Sequence, residues 1–172
     1  SIVGDSPLQS FDWQLELDNV QRQLISDYYD LLSELQTQSD ADAQAAALKL
    51  NQISQELSLL LVNNPLVINN LITANAYDGA HRAELKLRWD GLPKLDNIAQ
   101  LNMNEAIAAL DMSLDIALDL DSVMNSPAAE QLEAYVEQGF IIIKNDKVLI
   151  KATLINSQLT LNGEDIPLDQ FF

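Results

Sequence analysis

The chain has 172 residues with 26 acidic and 9 basic side chains, a net charge of −17 and no cysteine. A surface with this charge repels phosphates and anionic lipid headgroups, so direct binding to nucleic acid is not expected. The missing cysteines exclude disulfides, thiolate metal sites and cysteine nucleophiles. Because the length fits one ordinary domain, we predict a single α+β domain over residues 1–172.

The chain is predicted to begin with a strand and two helices. Residues 11–18 alternate strictly between apolar and polar side chains, which indicates a strand with one face in solvent. The apolar spacing then changes to three and four residues, which predicts a helix ending near Gln36. A second helix is predicted from an N-cap at Ser39 or Asp40 to a stop at residues 63–65. We expect the two helices to form a hairpin that faces the protein's own sheet, and a coiled-coil partner surface is the alternative.

The middle of the chain is predicted to consist mainly of strands. Residues 66–76 are ambiguous but compatible with a strand, and the Asp78-Gly79 pair signals a turn. Residues 83–89 and 108–120 alternate between apolar and polar side chains. The second of these runs is too long for one ordinary strand, so we expect it to break or to continue directly into a helical turn. Residues 94–105 are predicted to be a short helix or a loop.

A helix and a three-stranded meander are predicted at the end of the chain. Ser126 and Pro127 are placed to start a helix that continues to Gln138, and Gly139 is placed as its C-terminal cap. Three short apolar runs follow, separated by the turn pairs Asn145-Asp146, Asn156-Ser157 and Asn162-Gly163. The complete pattern predicts an α+β fold. We expect a twisted, mostly antiparallel sheet, with the helical hairpin and a further helix packed on one face.

No catalytic motif is found in the sequence. His81 is the only histidine, and we expect it in an exposed polar turn without a catalytic partner. Phosphate-binding loops, nucleophile elbows and zinc-binding helix motifs are not found. We therefore predict no enzymatic activity, no catalytic, cofactor-binding or metal-binding residues, and no cofactor. A hydrolase that uses paired carboxylates is the weakest of the hypotheses considered.

Three aspartates in the longest alternating run raise the question of a calcium site. Asp111, Asp115 and Asp119 are four residues apart, which puts them on the same face of a strand with Cα atoms about 13 Å apart. A calcium ion would therefore need carboxylates from neighbouring elements. We interpret these residues as part of a solvated sheet face.

Several of these elements together resemble the C-terminal part of the YdgA-like family of bacterial envelope proteins. The matching features are the strand that leads into a helix at Phe11–Leu35, the turn at Gly79 with the alternating strand that follows it, the run Gln138-Gly139-Phe140 followed by Lys147–Leu154, and the ending Leu159-Thr160-Leu161-Asn162-Gly163 with Pro167-Leu168. This family has no known function. The resemblance implies a larger parent protein with an N-terminal membrane anchor and a periplasmic body.

We therefore predict a periplasm-facing envelope domain, attached to the inner membrane through a segment outside this chain, with a binding or structural role. Its partner is expected to be an envelope protein or a hydrophobic ligand. The alternative function is a carrier that holds lipid or another hydrophobic ligand between sheet and helices, although a side-chain core there is the default. An interaction domain should show an exposed apolar patch or an unpaired strand edge.

Overall fold

A computed structural model of the chain describes residues 8–18, 20, 22–36 and 43–168. The strands are β1 (Leu8–Asp18), β2 (Leu66–Ala76), β3 (Gly79–Trp89), β4 (Leu110–Asp119), β5 (Ile142–Lys144), β6 (Lys147–Ile155), β7 (Gln158–Leu161) and β8 (Glu164–Ile166). The helices are α1 (Arg22–Gln36), α2 (Ala43–Asn63), α3 (Met103–Ala108), α4 (Leu120–Met124) and α5 (Ala129–Glu137), with a 3₁₀ helix at Ile98–Gln100. This architecture confirms the predicted α+β fold.

The chain divides into two compact units. Unit 1 contains the residues up to Glu16, Ile68–Leu87 and the residues from Asp111 onward. Unit 2 contains Leu17–Val67 and Arg88–Leu110. Most of the sheet belongs to unit 1 with α4 and α5, whereas α1, α2 and α3 belong to unit 2. The single domain over residues 1–172 stays a prediction, as does the packing of the helical hairpin on the sheet.

The eight strands form one sheet in the order β1-β2-β3-β4-β6-β7-β8, and β5 pairs with β6. β6 pairs antiparallel with β4, β5 and β7, and β7 pairs antiparallel with β8. The last four strands form a meander, which was predicted with three strands; the additional strand is β8, which follows the turn at Asn162 and Gly163. Among the strands of the described residues, β1 and β8 are at the two ends of this order.

The hairpin turns of the sheet depend on residues that tolerate a left-handed backbone. Both residues of each meander turn have a positive φ, which is the geometry of the tight turns that match the twist of paired strands: Asn145 and Asp146, Asn156 and Ser157, Asn162 and Gly163. The three predicted meander turns are therefore confirmed. The turn between β2 and β3 consists of Tyr77 and Asp78, one residue earlier than predicted, and Gly79 is the first residue of β3.

The core of unit 1 lies where α4 and α5 cover the apolar face of β4 and β6. Val148 on β6 is 3% exposed and packs with Val123 of α4, Leu132 of α5 and Ile141. Leu118 lies opposite Val148 in the register of β4 and β6, and it joins the same cluster. The prediction that a further helix packs on one face of the sheet is confirmed for this part.

A close contact joins the β2–β3 hairpin to the start of α4. Asp119 is the N-cap of α4, and its Oδ1 accepts hydrogen bonds from the Ser122 backbone N–H at 3.1 Å and from the Ser122 hydroxyl at 2.8 Å. A Cβ on Gly79 would overlap the Ser122 hydroxyl and approach the Asp119 Cβ to 2.6 Å. This position therefore requires glycine because the side chains of Asp119 and Ser122 occupy the space beside it, not because of its own φ.

Unit 2 contains the predicted helical hairpin, in which α1 and α2 contact each other. Its second helix is joined to the segment after β3 by side-chain hydrogen bonds. The Asn63 amide donates to the Leu95 carbonyl at 3.0 Å and accepts from the Leu95 N–H at 2.8 Å. The Trp89 indole N–H donates to the Val62 carbonyl at 3.0 Å. These bonds satisfy polar groups at the C-terminal end of α2.

The alternating run 108–120 forms β4 and continues directly into the helix α4, as expected. Helix α5 begins at Ala129, slightly later than predicted. The hydroxyl of Ser126 accepts from the Ala128 N–H at 3.2 Å and donates to the Val123 carbonyl at 2.7 Å, so this residue contacts both helices. The predicted N-caps Ser39 and Asp40 lie outside the described residues.

Candidate functional site

The most unusual surface of unit 1 is the apolar side of its first strand. Phe11, Trp13 and Leu15 are 59%, 58% and 46% exposed, although their alternation marks them as one face of β1. We call these three side chains the β1 surface. Large exposed apolar side chains in a row are rare on isolated soluble domains and mark contact surfaces.

The apolar and polar side chains of β1 alternate between its two faces. Phe11 nevertheless lines a cleft of unit 1 together with Ser10, Asp12 and residues of other strands. The core of unit 1 lies elsewhere on the sheet, where Val148 of β6 packs with α4 and α5. Apolar side chains of the sheet are thus covered at β6 and exposed at β1.

Hydrogen bonds to neighbouring residues hold the β1 surface in place. The Trp13 indole N–H donates to the Asn70 side-chain oxygen at 2.6 Å, which fixes the orientation of the ring. The Ser10 hydroxyl accepts from the Asn75 amide at 2.7 Å, and this bond also joins β1 to β2. An exposed tryptophan with a fixed ring loses little conformational entropy when a partner covers it.

The polar side of β1 carries acids, and the nearest bases are paired with other residues: Arg82 and Lys147 line a cleft with Asp12 but form ion pairs with Glu84 and Asp119. Asp12 and Glu16 lie on this side, and neither β1 nor β2 contains a lysine or arginine. Asp12 accepts a hydrogen bond from Gln14 of the same strand at 3.1 Å. Within the ranges that the structure describes, neither Asp12 nor Glu16 forms an ion pair.

The rest of the polar face, in contrast, consists of paired charges. The ion pairs are Arg82–Glu84 at 3.0 Å, Lys86–Glu84 at 3.2 Å, Lys151–Asp115 at 3.2 Å and Lys147–Asp119 at 3.4 Å. The hydrogen bond from Lys86 lowers the pKa of Glu84, helped by the charges of Lys86 and Arg82. The hydrogen bonds from the Ser122 hydroxyl and N–H lower the pKa of Asp119, helped by Lys147.

These ion pairs bear on the question of a calcium site at the three aspartates of the long alternating run. Asp115 and Asp119 face lysines of β6 directly across the register, so each carboxylate already has a cation beside it. Asp111 also has an interaction partner. No group of three or more histidine or acidic side chains in the described part of the chain is arranged to hold a metal ion.

His81 differs from its predicted place in an exposed turn. It lies on β3 and is partly buried, and its Nε2–H donates to the Ala76 carbonyl at 3.0 Å. Its other ring nitrogen, Nδ1, is buried and has no hydrogen-bond partner among the described residues. The sequence suggested a polar turn because Asp78-Gly79 precedes it, but the turn lies earlier and His81 is already in the strand.

The cleft on the polar face of unit 1 has a volume of about 450 Å³. Arg82 and Lys147 line it, which would suit an anion, but both cations are already paired with Glu84 and Asp119. Asp12 contributes a negative charge to the same lining. The cleft therefore offers no free positive charge to a ligand.

Unit 2 contains two further clefts. One of about 350 Å³ lies on the helical hairpin between Tyr28, Tyr29, Leu57 and their neighbours. It is large enough for a small ligand, but Tyr29 is 64% exposed, so the cleft is an open groove. The other, of about 670 Å³, is lined by the carboxylates of Asp30 and Glu56 and by further residues.

The chain is similar to a known family of bacterial proteins. The model of a bacterial protein family of unknown function, DUF945, matches residues 2–169. The chain belongs to the DUF945 family. No curated protein and no solved structure matches the chain. Membership in DUF945 therefore assigns the chain to a bacterial family of unknown function. A function for the chain can be proposed only from the surface described above.

The sequence predicted the strand that carries the β1 surface but not its exposure. The alternation of Phe11, Trp13 and Leu15 looks the same as that of a strand whose apolar side is covered. The charge pattern does distinguish this strand. In the DUF945 chain, β1 and β2 contain no base, whereas β3 contains charges of both signs and β6 contains two lysines. None of the helices in the described ranges is long and apolar enough to cross a membrane.

Proposed function

We propose that this DUF945 domain is a protein-interaction module of the bacterial envelope, and that the β1 surface is its contact site. The observation that carries the proposal is the exposure of Phe11, Trp13 and Leu15 on a strand at the end of the sheet. Tryptophan and other aromatic side chains supply much of the binding energy in protein interfaces. The fixed Trp13 ring and the bare apolar row provide such an anchor.

The envelope location is part of the same proposal. The resemblance to YdgA-like proteins supports a periplasm-facing domain whose parent protein is held at the inner membrane. The absence of cysteine from the sequence is compatible with an oxidising compartment. Digestion of spheroplasts with an external protease tests the location, because a periplasm-facing domain is cut while a cytoplasmic control protein survives. Survival of the domain would overturn the assignment.

Site-specific photocrosslinking in the producing bacterium tests the contact surface. A photoreactive amino acid replaces Leu15 in the full-length protein, and a second strain carries it at Glu133, an exposed residue of α5. We expect a defined protein adduct from position 15 and none from position 133. Replacing Phe11 and Trp13 with serine should remove that adduct because the anchor is lost.

The results also separate the proposal from the carrier hypothesis. Equal adducts at positions 15 and 133, or none at either, would contradict an interaction site at β1. Adducts that contain only lipid would instead favour a lipid-binding role. The carrier hypothesis remains a prediction. Within unit 2, the open groove beside Tyr28 and Tyr29 is an apolar cleft where binding of a hydrophobic ligand can be tested.

A further inference from the structure

We infer that the partner adds an extended segment to the outer edge of β1, as a further strand in which basic residues alternate with apolar ones. This inference rests on the proposed function and specifies the chemistry of the partner. It is carried by two features of β1, its place in the strand order and the uncompensated acids on its polar side.

The first feature is the edge itself. In the described part of the sheet, β1 is paired only with β2, and it is 11 residues long. A terminal strand presents a row of backbone N–H and C=O groups to which another strand can bind. Strand addition uses these groups for affinity and the alternating side chains for specificity.

The second feature is the charge of the polar side. Side chains directly opposite each other in paired strands lie on the same face and interact. A strand added beside β1 therefore places alternate residues next to Asp12, Gln14 and Glu16, and the intervening residues next to the β1 surface. Bases are favoured at the first set of positions because Asp12 and Glu16 have no cation from β1 or β2. Apolar residues are favoured at the second set.

The charge of the chain disfavours a second copy as the occupant. The acids of β1 contribute in some pairings. An antiparallel pair centred on Gln14 puts Asp12 of each copy opposite Glu16 of the other, and a parallel pair in register puts like acids side by side. The net charge of −17 also repels a second copy and attracts a basic segment.

Synthetic peptides test the inference with the 172-residue chain. The probe is a peptide of about nine residues that alternates valine and lysine, and its control has glutamate in place of lysine. Isothermal titration calorimetry measures both affinities. In a Trp89→Phe background, the emission of Trp13 reports whether the β1 surface becomes covered. We expect the lysine peptide to bind at least about tenfold more tightly than the glutamate peptide.

Protein variants locate the charge preference. The double variant D12K/E16K should reverse it, so that the glutamate peptide binds better than the lysine peptide. The matched control E133K/E137K changes the net charge equally on the exposed surface of α5 and should keep the original preference. A reversal in both double variants would mean that only net charge matters, and it would overturn the inference.

N-methylated peptides test the backbone contact. Methylation of the lysine amides blocks one edge of the peptide strand, and methylation of the valine amides blocks the other. We expect one of the two sets to lower the affinity at least about tenfold while charge and apolar area stay the same. If neither set weakens binding, strand addition is wrong.

The failure of this inference can be distinguished from the failure of the proposed function. If the photocrosslink at position 15 succeeds and the peptides show no charge or backbone preference, the contact site stands and its strand-addition mechanism is overturned. If sedimentation shows a dimer that Leu15→Lys dissociates, a second copy is the occupant and the inference is overturned. Preferential binding of the lysine peptide without any crosslink would support the edge chemistry and contradict the proposed cellular contact.

Discussion

The two ends of the sheet order differ in length, charge and exposed apolar area. β8 has three residues, two of which are Glu164 and Asp165, and Pro167 follows it directly. Short length, charge and proline are the usual means by which proteins prevent an edge from pairing with other chains. β1 has 11 residues and exposes Phe11 and Trp13. The difference indicates that the fold blocks one edge and leaves the other available.

A second contrast lies between two sets of apolar side chains in unit 1. Those of β4 and β6 are covered by α4 and α5, whereas those of β1 are exposed. Apolar side chains at the two places should therefore contribute very differently to the stability of the fold. The following four predictions test both contrasts, starting with the largest expected effect.

Shortening a buried side chain should lower the free energy of unfolding far more than shortening an exposed one. Leu132→Ala on α5 removes a residue that is 8% exposed, and we expect it to lower the free energy of unfolding by about 2–5 kcal/mol because it leaves a cavity. Leu15→Ala should change it by no more than about 0.5 kcal/mol. Urea denaturation followed by circular dichroism measures both. Similar losses would show that the β1 surface is covered in solution.

The contact between β3 and α4 should be sensitive to one added methyl group. Gly79→Ala should lower the free energy of unfolding by about 1–3 kcal/mol because the Cβ collides with Ser122 and Asp119. Thermal unfolding measures the loss. In the double variant with Ser122→Ala, part of the collision is relieved, so the two substitutions should cost less together than the sum of the single losses. Additive losses would contradict this explanation.

Charges introduced on β1 should make this edge as unlikely as β8 to associate with other chains. In the variant F11K/L15K we expect weaker binding of an apolar fluorescent dye and less self-association at high protein concentration, with each substitution changing stability by about 0.5 kcal/mol or less. Asp165→Leu on β8 is the control, and its edge should stay inactive because it is so short. Unchanged dye binding in F11K/L15K would mean that the exposed apolar area lies elsewhere.

Because carboxylates of the polar face are ion-paired, we predict that the free energy of unfolding decreases slightly at acidic pH. The pKa of Asp119 is lowered in the folded state, so its contribution is complete above the ordinary aspartate pKa of about 4 and is lost as the pH falls through the lowered value. Asp119→Asn should therefore be less stable than the original chain at neutral pH, and the gap should narrow below about pH 4. Unfolding at several pH values checks this. A gap that is independent of pH would exclude the proposed role of the carboxylate.

The sequence predicted the parts of the fold that depend on local interactions. The turn pairs of the meander were identified because Asn, Asp, Ser and Gly tolerate a positive φ, which a short stretch of sequence reveals. The strand pattern of β1 was identified because strict alternation of apolar and polar residues is also visible in a short stretch of sequence. The start of α5 was predicted slightly too early, and the hydrogen bond from the Ser126 hydroxyl back to Val123 is a contact that composition alone does not indicate.

The exposure of the β1 surface could not be predicted because it depends on distant elements. Trp13 on β1 and Leu118 on β4 occur in alternating runs of the same kind. One lies bare and the other packs with α4 and α5, and only the three-dimensional arrangement separates them. The environment of His81 was missed because one turn lies a residue earlier than predicted.

The connectivity of the sheet also has a consequence for how it assembles. Strands β5 to β8 are joined by tight turns, so their pairing closes only short loops and costs little chain entropy. β1 must find β2 across the whole segment between Asp18 and Leu66. Contacts between neighbours in sequence generally form faster than distant ones. We therefore expect the meander to fold early and β1 to join last, which would make its amides the first strand amides of unit 1 to exchange with solvent.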